Sequence, residues 1–182
     1  RFSRNPGTTF GTLAQDCFRR DLTINSLYRN ISTGEILDLT GKGLEDISNH
    51  VIRTTRAPDP VYDEAPLRIL RCIRFASRFG WEIEKGTFSA MTRQVPRMAI
   101  LTKERIADEL TGMLCGAHPV MAMELLRTSG ALHYVLPCLE ETVGMTQNFY
   151  HFGTVWEHTM AVLGNMSDNS PQMRLAALLH DA

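Results

Sequence analysis

The apolar pattern of this chain changes character near residue 60. Before that point, Leu22–Tyr28 and Glu35–Leu39 are short apolar stretches, separated by Asn30–Gly34 (NISTG). Asn, Ser, Thr and Gly supply turn chemistry, so the pattern predicts a β-hairpin. Thr40–Gly43 reads as a loop, Leu44–His50 as a short helix and Val51–Thr55 as a short extended piece. Ala57–Pro60 (APDP) is expected to break regular structure, with Pro58–Asp63 leading out of the first region.

From Pro66 onward the apolar spacing is helical. Pro66 suits the first helical position, which makes Ala65 the N-cap, and Gly80 suits the C-terminal stop. Lys85–Gln94 is a second helix with Phe88 and Met91 inward. Thr102 is expected to cap a third, whose stripe is Ile106, Leu110, Met113 and Leu114. Arg105 stands there where a capping box takes Glu or Gln. Pro119–Ser129 follows, closed by Gly130, and then Thr154–Met166 and Pro171–Asp181, the last with Ser170 as cap and Pro171 at its first position. The chain therefore reads as mainly α, with no tandem repeat or low-complexity tract.

One helix stands out. In Arg68–Phe79 (RILRCIRFASRF), a step of about 100° per residue gathers Arg68, Arg71, Arg74 and Arg78 on one side. Ile69, Cys72, Ile73, Ala76 and Phe79 gather on another. Such a helix buries one stripe and presents a row of guanidiniums, with Glu64 on the same side. Guanidiniums suit phosphates through bidentate, charge-assisted hydrogen bonds, and equally suit salt bridges to neighbouring carboxylates.

Composition narrows the choices. A length of 182 residues and 43% hydrophobic content allow one domain, or parts of two, with a real core. A net charge of −1 does not mark a general polyanion binder, so nucleic-acid contact needs local basic patches. No apolar run approaches a membrane span, and no membrane partner is expected. Cys17, Cys72, Cys115 and Cys138 are scattered without a CxxC, which reads as free thiols in a reducing, cytoplasmic setting. The chain opens without Met and stops at Leu178–Ala182 inside an apolar helix, so it reads as a fragment.

The motifs resemble a known family. Arg19–Leu27 (RRDLTINSL) is similar to the RRDxTINAL motif of the class II tRNA nucleotidyltransferases and bacterial poly(A) polymerases. Glu64–Gly80 resembles the family's EDxxR motif and the arginine helix after it. Asp38–Asp46 resembles the glycine-containing connector, Thr102–Leu114 the later S-x-E-R helix, and Leu125–Leu139 a segment of the body. These motifs occur in family order. The resemblance implies the trailing part of a nucleotidyltransferase α/β head at 1–60, a helical neck and body at 61–140, and the start of an HD-like domain at 141–182.

The resemblance also implies a function: adding or repairing the 3′-terminal CCA of tRNA with CTP and ATP. Phosphoryl transfer of this kind needs carboxylates that hold divalent ions, Mg²⁺ in the parent enzyme. In the family these form a D-x-D, which is absent from this sequence, so the chain alone is expected to be inactive. What remains resembles the nucleotide-recognition apparatus: Arg19, Arg20, Asp21 and Asn25 from the first motif, and Glu64, Arg68, Arg71 and Arg74 from the second. Ala65 occupies the position of the family's base-reading Asp, and an alanine cannot accept a hydrogen bond from a base amino group. Asp63 and Glu64 are the adjacent carboxylates.

At the C-terminal end, His158 and His180–Asp181 resemble the opening of an HD metal site, set in Tyr150–Leu163 and Leu175–Asp181. His and Asp ligands of this kind gather metal ions that activate water. The alternatives to a CCA-adding enzyme are an A-adding enzyme or poly(A) polymerase, a non-catalytic RNA-binding module, and an HD-type phosphohydrolase.

Overall fold

The computed structural model describes residues 11–146 and 153–182. Helix α1, Leu13–Arg19, opens on a capping box in which Thr12 Oγ1 accepts from the Gln15 amide and the Gln15 side chain accepts from the Thr12 amide. A 3₁₀ turn over Thr23–Asn25 leads into the expected hairpin, β1 (Leu27–Arg29) against β2 (Ile36–Asp38). The pairing is antiparallel, with Tyr28 opposite Leu37.

The connector Asp38–Asp46 is held by its two acids. Asp38 accepts from Thr40 Oγ1 at 2.7 Å and from the Leu44 amide at 3.0 Å. Asp46, 1% exposed, accepts from Thr23 Oγ1 at 2.7 Å and from Arg53 Nε at 3.1 Å. Between them Gly43 begins α2 (Gly43–Ser48); a Cβ there would lie 2.9 Å from both the Leu27 side chain and the Thr23 carbonyl. The acids and the glycine thus pin α2 onto the turn after α1.

Strand β3 (Val51–Ile52) pairs in parallel with β4 (Glu82–Ile83), which follows the arginine helix. That parallel pairing ties the first region to the helices, and no local pattern announced it. A further correction concerns Ala57–Pro60. These residues do not break structure: Pro58–Glu64 is a helix, α3, with Pro58 at its first position. Amides in a first helical turn have no intrahelical acceptor, so two prolines there cost nothing in hydrogen bonds.

The arginine helix is α4, Leu67–Phe79, ended by Gly80 at φ 69°. The sequence placed its start one residue earlier. Pro66 is the helical flanking residue, and Ala65 ends α3 in a non-helical conformation while its carbonyl accepts from the Arg68 amide at 2.9 Å. Helix α5 spans Lys85–Gln94 as expected and is capped by Glu84, which accepts from the Gly86 and Thr87 amides. Helix α6 is Lys103–Leu114 and α7 is Pro119–Ser129, with Gly130 at φ 81°. Thr102 and Ser170 sit at N-cap positions, but neither side chain makes the cap hydrogen bond. Short helices α8 (Leu132–Val135) and α9 (Pro137–Glu141) follow. Helix α10, Val155–Asn165, starts in a capping box of Thr154 and Glu157, and α11 spans Pro171–Leu179. Of the stretch Tyr150–Leu163, residues 150–152 lie outside the described residues.

The fold is mainly helical, as the sequence predicts. One apolar core runs from Leu22 to Leu178, with Ile69, Leu70, Cys72, Ile73 and Ala76 of α4 fully buried at its centre. Helix α4 packs against both α6 and α7. Its buried stripe fixes its rotation, and that rotation sends the arginine side toward the turn after α1.

Candidate functional site

The arginine side of α4 and the turn after α1 enclose an open cleft of about 660 Å³. From the first element come Arg19, Arg20, Asp21 and Asn25. From the second come Ala65, Leu67, Arg68, Arg71 and Phe75, and α6 adds Arg105. Five guanidiniums and a single carboxylate therefore line one concavity.

Several of these arginines are held by named partners. Arg20 donates to Asp16 Oδ2 at 2.9 Å and to the Asn25 carbonyl at 2.9 Å, and lies over the Tyr28 ring. Asp16 also accepts from Tyr28 Oη at 2.7 Å and from Arg19 Nε at 2.7 Å. The hydrogen bond from Tyr28, followed by those from Arg20 and Arg19, holds the Asp16 carboxyl well below the usual carboxylate range, and Asp16 in turn raises Arg20. Arg71 Nε donates to Asp21 Oδ2 at 2.6 Å. Asp21 is 7% exposed and also accepts from the Leu22 amide at 2.9 Å. Arg68 donates to the Val61 carbonyl at 3.2 Å and to the carbonyl of Arg19, so it bridges α3 and the end of α1.

Two residues of the predicted set stand elsewhere. Glu64 pairs with Arg56 and lies 3.7 Å from Arg68 Nη1, outside the lining of the cleft. Arg74 turns toward α6 and meets Glu109 at 2.8 Å. Burial pushes the Glu109 carboxyl up, against the opposing pull of Arg74. Gly112 makes room for this pair, since a Cβ there would lie 2.7 Å from Arg74 Cδ. Asp63 pairs with Arg97 at 3.0 Å. Neither Asp63 nor Glu64 lines the cleft, whereas Ala65, with only a methyl group, does.

Sequence reasoning passed over Arg105 and Phe75. Arg105 stands at the arginine of the S-x-E-R resemblance, the one sequence signal that points to its place in the cleft. Phe75 sits one turn beyond Arg71 and would have required the helix rotation to be known.

A second cluster lies at the far end of the chain. His158 on α10 and His180–Asp181 after α11 offer ligand atoms within 4.8 Å of one another. Asp181 Oδ2 is 3.2 Å from His180 Nε2 and 3.8 Å from His158 Nε2. The ring centroids of His158 and His180 are 5.3 Å apart.

This fragment, with its arginine helix and the helices after it, has the architecture of a nucleotidyltransferase head and helical neck. Residues 2–53 match the family described as "Poly A polymerase head domain", and residues 80–142 match "Probable RNA and SrmB- binding site of polymerase A". The tRNA nucleotidyltransferase cca2 of Schizosaccharomyces pombe is 39% identical over 142 residues, covering 75% of this chain and 29% of that protein. A multifunctional CCA protein of Neisseria gonorrhoeae is 36% identical over 176 residues, covering 93% of this chain and 42% of that protein. The crystal structure of the Bacillus stearothermophilus CCA-adding enzyme in complex with CTP superposes with a TM-score of 0.70 at 29% identity, covering 75% of this chain and 35% of that one. The chain belongs to the class II tRNA nucleotidyltransferase and poly(A) polymerase family. It spans less than half the length of these relatives.

Proposed function

We propose that this chain is the nucleotide-recognising portion of a tRNA nucleotidyltransferase that adds or repairs the 3′-terminal CCA. The observation that carries this reading is the convergence of Arg19, Arg20, Arg68, Arg71 and Arg105 on one cleft. An array of guanidiniums in a concavity open to solvent suits the triphosphate of CTP or ATP. Arg71 and Arg20, each oriented by a carboxylate, bind phosphate oxygens without first searching for a rotamer. Asp21 holds Arg71 in place, and Asn25 offers a neutral amide to the sugar or base. The tRNA 3′ end is the second partner. The head occupies 1–60, the neck and body 61–140, and an HD-like unit begins at 141. The four free thiols accord with a reducing compartment such as the cytoplasm.

The proposed reaction takes Mg²⁺, which would supply activation of the attacking hydroxyl and neutralisation of phosphate charge. The cleft does not fit that ion: its one carboxylate, Asp21, already bonds Arg71. Glu64 and Arg74 act from outside the cleft, Glu64 by pairing with Arg56 and Arg68, and Arg74 by fastening α4 to α6.

The test is equilibrium binding of CTP, ATP and inorganic triphosphate to the purified chain. Binding of all three, weakened about ten-fold or more by Arg71→Ala, supports the reading, on the scale of a charged hydrogen bond. Equal affinity in the variant overturns it.

The His158, His180 and Asp181 geometry favours one further reading, a divalent metal site of the HD type. Two imidazoles and a carboxylate suit a first-row divalent ion, the imidazoles favouring Zn²⁺ or Fe²⁺ and the carboxylate admitting Mn²⁺. Such an ion would supply an activated water for phosphoester hydrolysis. Calorimetric titration with Mn²⁺ should show uptake that His180→Ala removes; no uptake by the unaltered chain overturns this reading.

A further inference from the structure

Reading a base takes hydrogen-bonding groups matched to its edge. The exocyclic amino groups of cytosine and adenine need an acceptor, and the carbonyls of uracil and guanine need a donor. What the cleft can read thus depends on which acceptors its own hydrogen bonds leave over.

The main-chain acceptors are spent. The Arg19 carbonyl accepts from Arg68 Nη2, the Arg20 carbonyl from Thr55 Oγ1 at 2.8 Å, and the Asp21 carbonyl from the Thr55 amide at 3.3 Å. The Asn25 carbonyl accepts from Arg20 Nη1 and the Ala65 carbonyl from the Arg68 amide, both at 2.9 Å. The other lining residues stand inside α4 and α6, where carbonyls accept from the following turn.

The side chains follow suit. Asp21 accepts from the Leu22 amide on Oδ1 and from Arg71 on Oδ2. Ala65, Leu67 and Phe75 are apolar. Among the described lining residues, that leaves the Asn25 side chain as the acceptor in reserve. Its amide carries a donor beside the acceptor, and a half-turn exchanges them, so it pairs equally well with an amino group or a carbonyl. Donors remain, but not at position 68, where Nη1 goes to the Val61 carbonyl and Nη2 to the Arg19 carbonyl. Arg71 spends Nε on Asp21 and retains two Nη groups, and Arg105 is exposed at the cleft. Two such guanidiniums match the oxygens of a polyphosphate, which every nucleoside triphosphate carries.

We infer that this cleft takes nucleoside triphosphates as a class, gripping the polyphosphate and leaving the base unread. CTP and UTP make the sharpest contrast, because they share size and charge and differ by an amino group against a carbonyl on the pyrimidine edge. A preference for CTP would require an acceptor that this lining does not hold. The inference rests on the nucleotide reading of the cleft and sets the substrate class of that site.

Equilibrium binding of CTP, UTP, ATP and GTP to the whole chain tests it. The four affinities should agree within about three-fold, since one well-made hydrogen bond to a base would separate them by about ten-fold. Asn25→Asp turns the two-way amide into an acceptor alone. Its added negative charge should weaken all four ligands, while the ratio of CTP to UTP affinity rises about ten-fold. The uniform loss cancels in that ratio, because the two ligands carry equal charge. A larger spread between CTP and UTP in the unaltered chain, or a ratio unmoved in folded Asn25→Asp, overturns the inference and leaves the cleft a nucleotide site. The ratio in the unaltered chain decides even where the variant fails to fold. Absence of binding by all four triphosphates overturns the nucleotide reading and the inference with it.

Discussion

Arg71 on α4 and Asp21 in the turn after α1 meet at 2.6 Å, joining two elements fifty residues apart at the floor of the cationic cleft. Asp21 is buried, and among the described residues Arg71 is the side-chain donor that reaches it there. A lone carboxylate among five guanidiniums thus fixes the direction of one of them. Asp21→Ala should cost about 1–3 kcal/mol of stability, since it breaks a charged hydrogen bond and leaves the Leu22 amide without its side-chain acceptor. A double-mutant cycle with Arg71→Ala should show the two losses to be non-additive, as read by urea unfolding. Simple additivity would mean that the contact does not order the cleft.

Arg105 reaches the cleft from α6. Arg105→Ala should weaken triphosphate binding about ten-fold while leaving the melting temperature nearly unchanged, because the residue is exposed. Isothermal titration with ATP, alongside a melting curve, separates the two effects.

Ala65 presents only a methyl group where an acceptor for a base amino group would stand. Ala65→Asp should shift preference toward bases that carry an exocyclic amino group, measured by competition of CTP and ATP against UTP. An unchanged preference would place base reading at another residue of the lining, with Asn25 the first candidate.

The Arg74–Glu109 pair depends on the missing side chain of Gly112. Gly112→Ala should destabilise the chain by about 1–3 kcal/mol, the scale of overpacking a close contact. The pair also sets a pH dependence. Burial raises Glu109 above its ordinary value of 4.5, so its contribution to stability is fully present below that value and is lost as pH rises through the higher native one. Glu109→Gln should flatten that part of the stability profile, and unfolding midpoints collected from pH 4 to pH 8 report it.

Much of the local structure was legible because it depends on near neighbours. The helical ranges Lys85–Gln94 and Pro119–Ser129, the stop at Gly80 and the hairpin around Asn30–Gly34 all follow from apolar period and turn chemistry. The motif RRDLTINSL and the arginine row were legible for the same reason, and so was the family. The helix over Pro58–Glu64 was missed because two prolines read as breakers unless both fall in a first turn.

The sequence by itself determined which side chains carry charge and which stripe of α4 must be buried, save that Phe79, expected in that stripe, is 42% exposed at the end of the helix. It did not determine which guanidiniums share a cleft. Periodicity put Arg68, Arg71, Arg74 and Arg78 on one side of the helix, yet only Arg68 and Arg71 line the main concavity. That division was made by α6, which supplies Glu109 to draw Arg74 aside and Arg105 to take a place in the cleft. Parallel pairing of Val51–Ile52 with Glu82–Ile83 likewise holds His50 against Trp81. Both outcomes depend on contacts between segments far apart in the chain, and a local pattern carries no information about which distant segment will arrive.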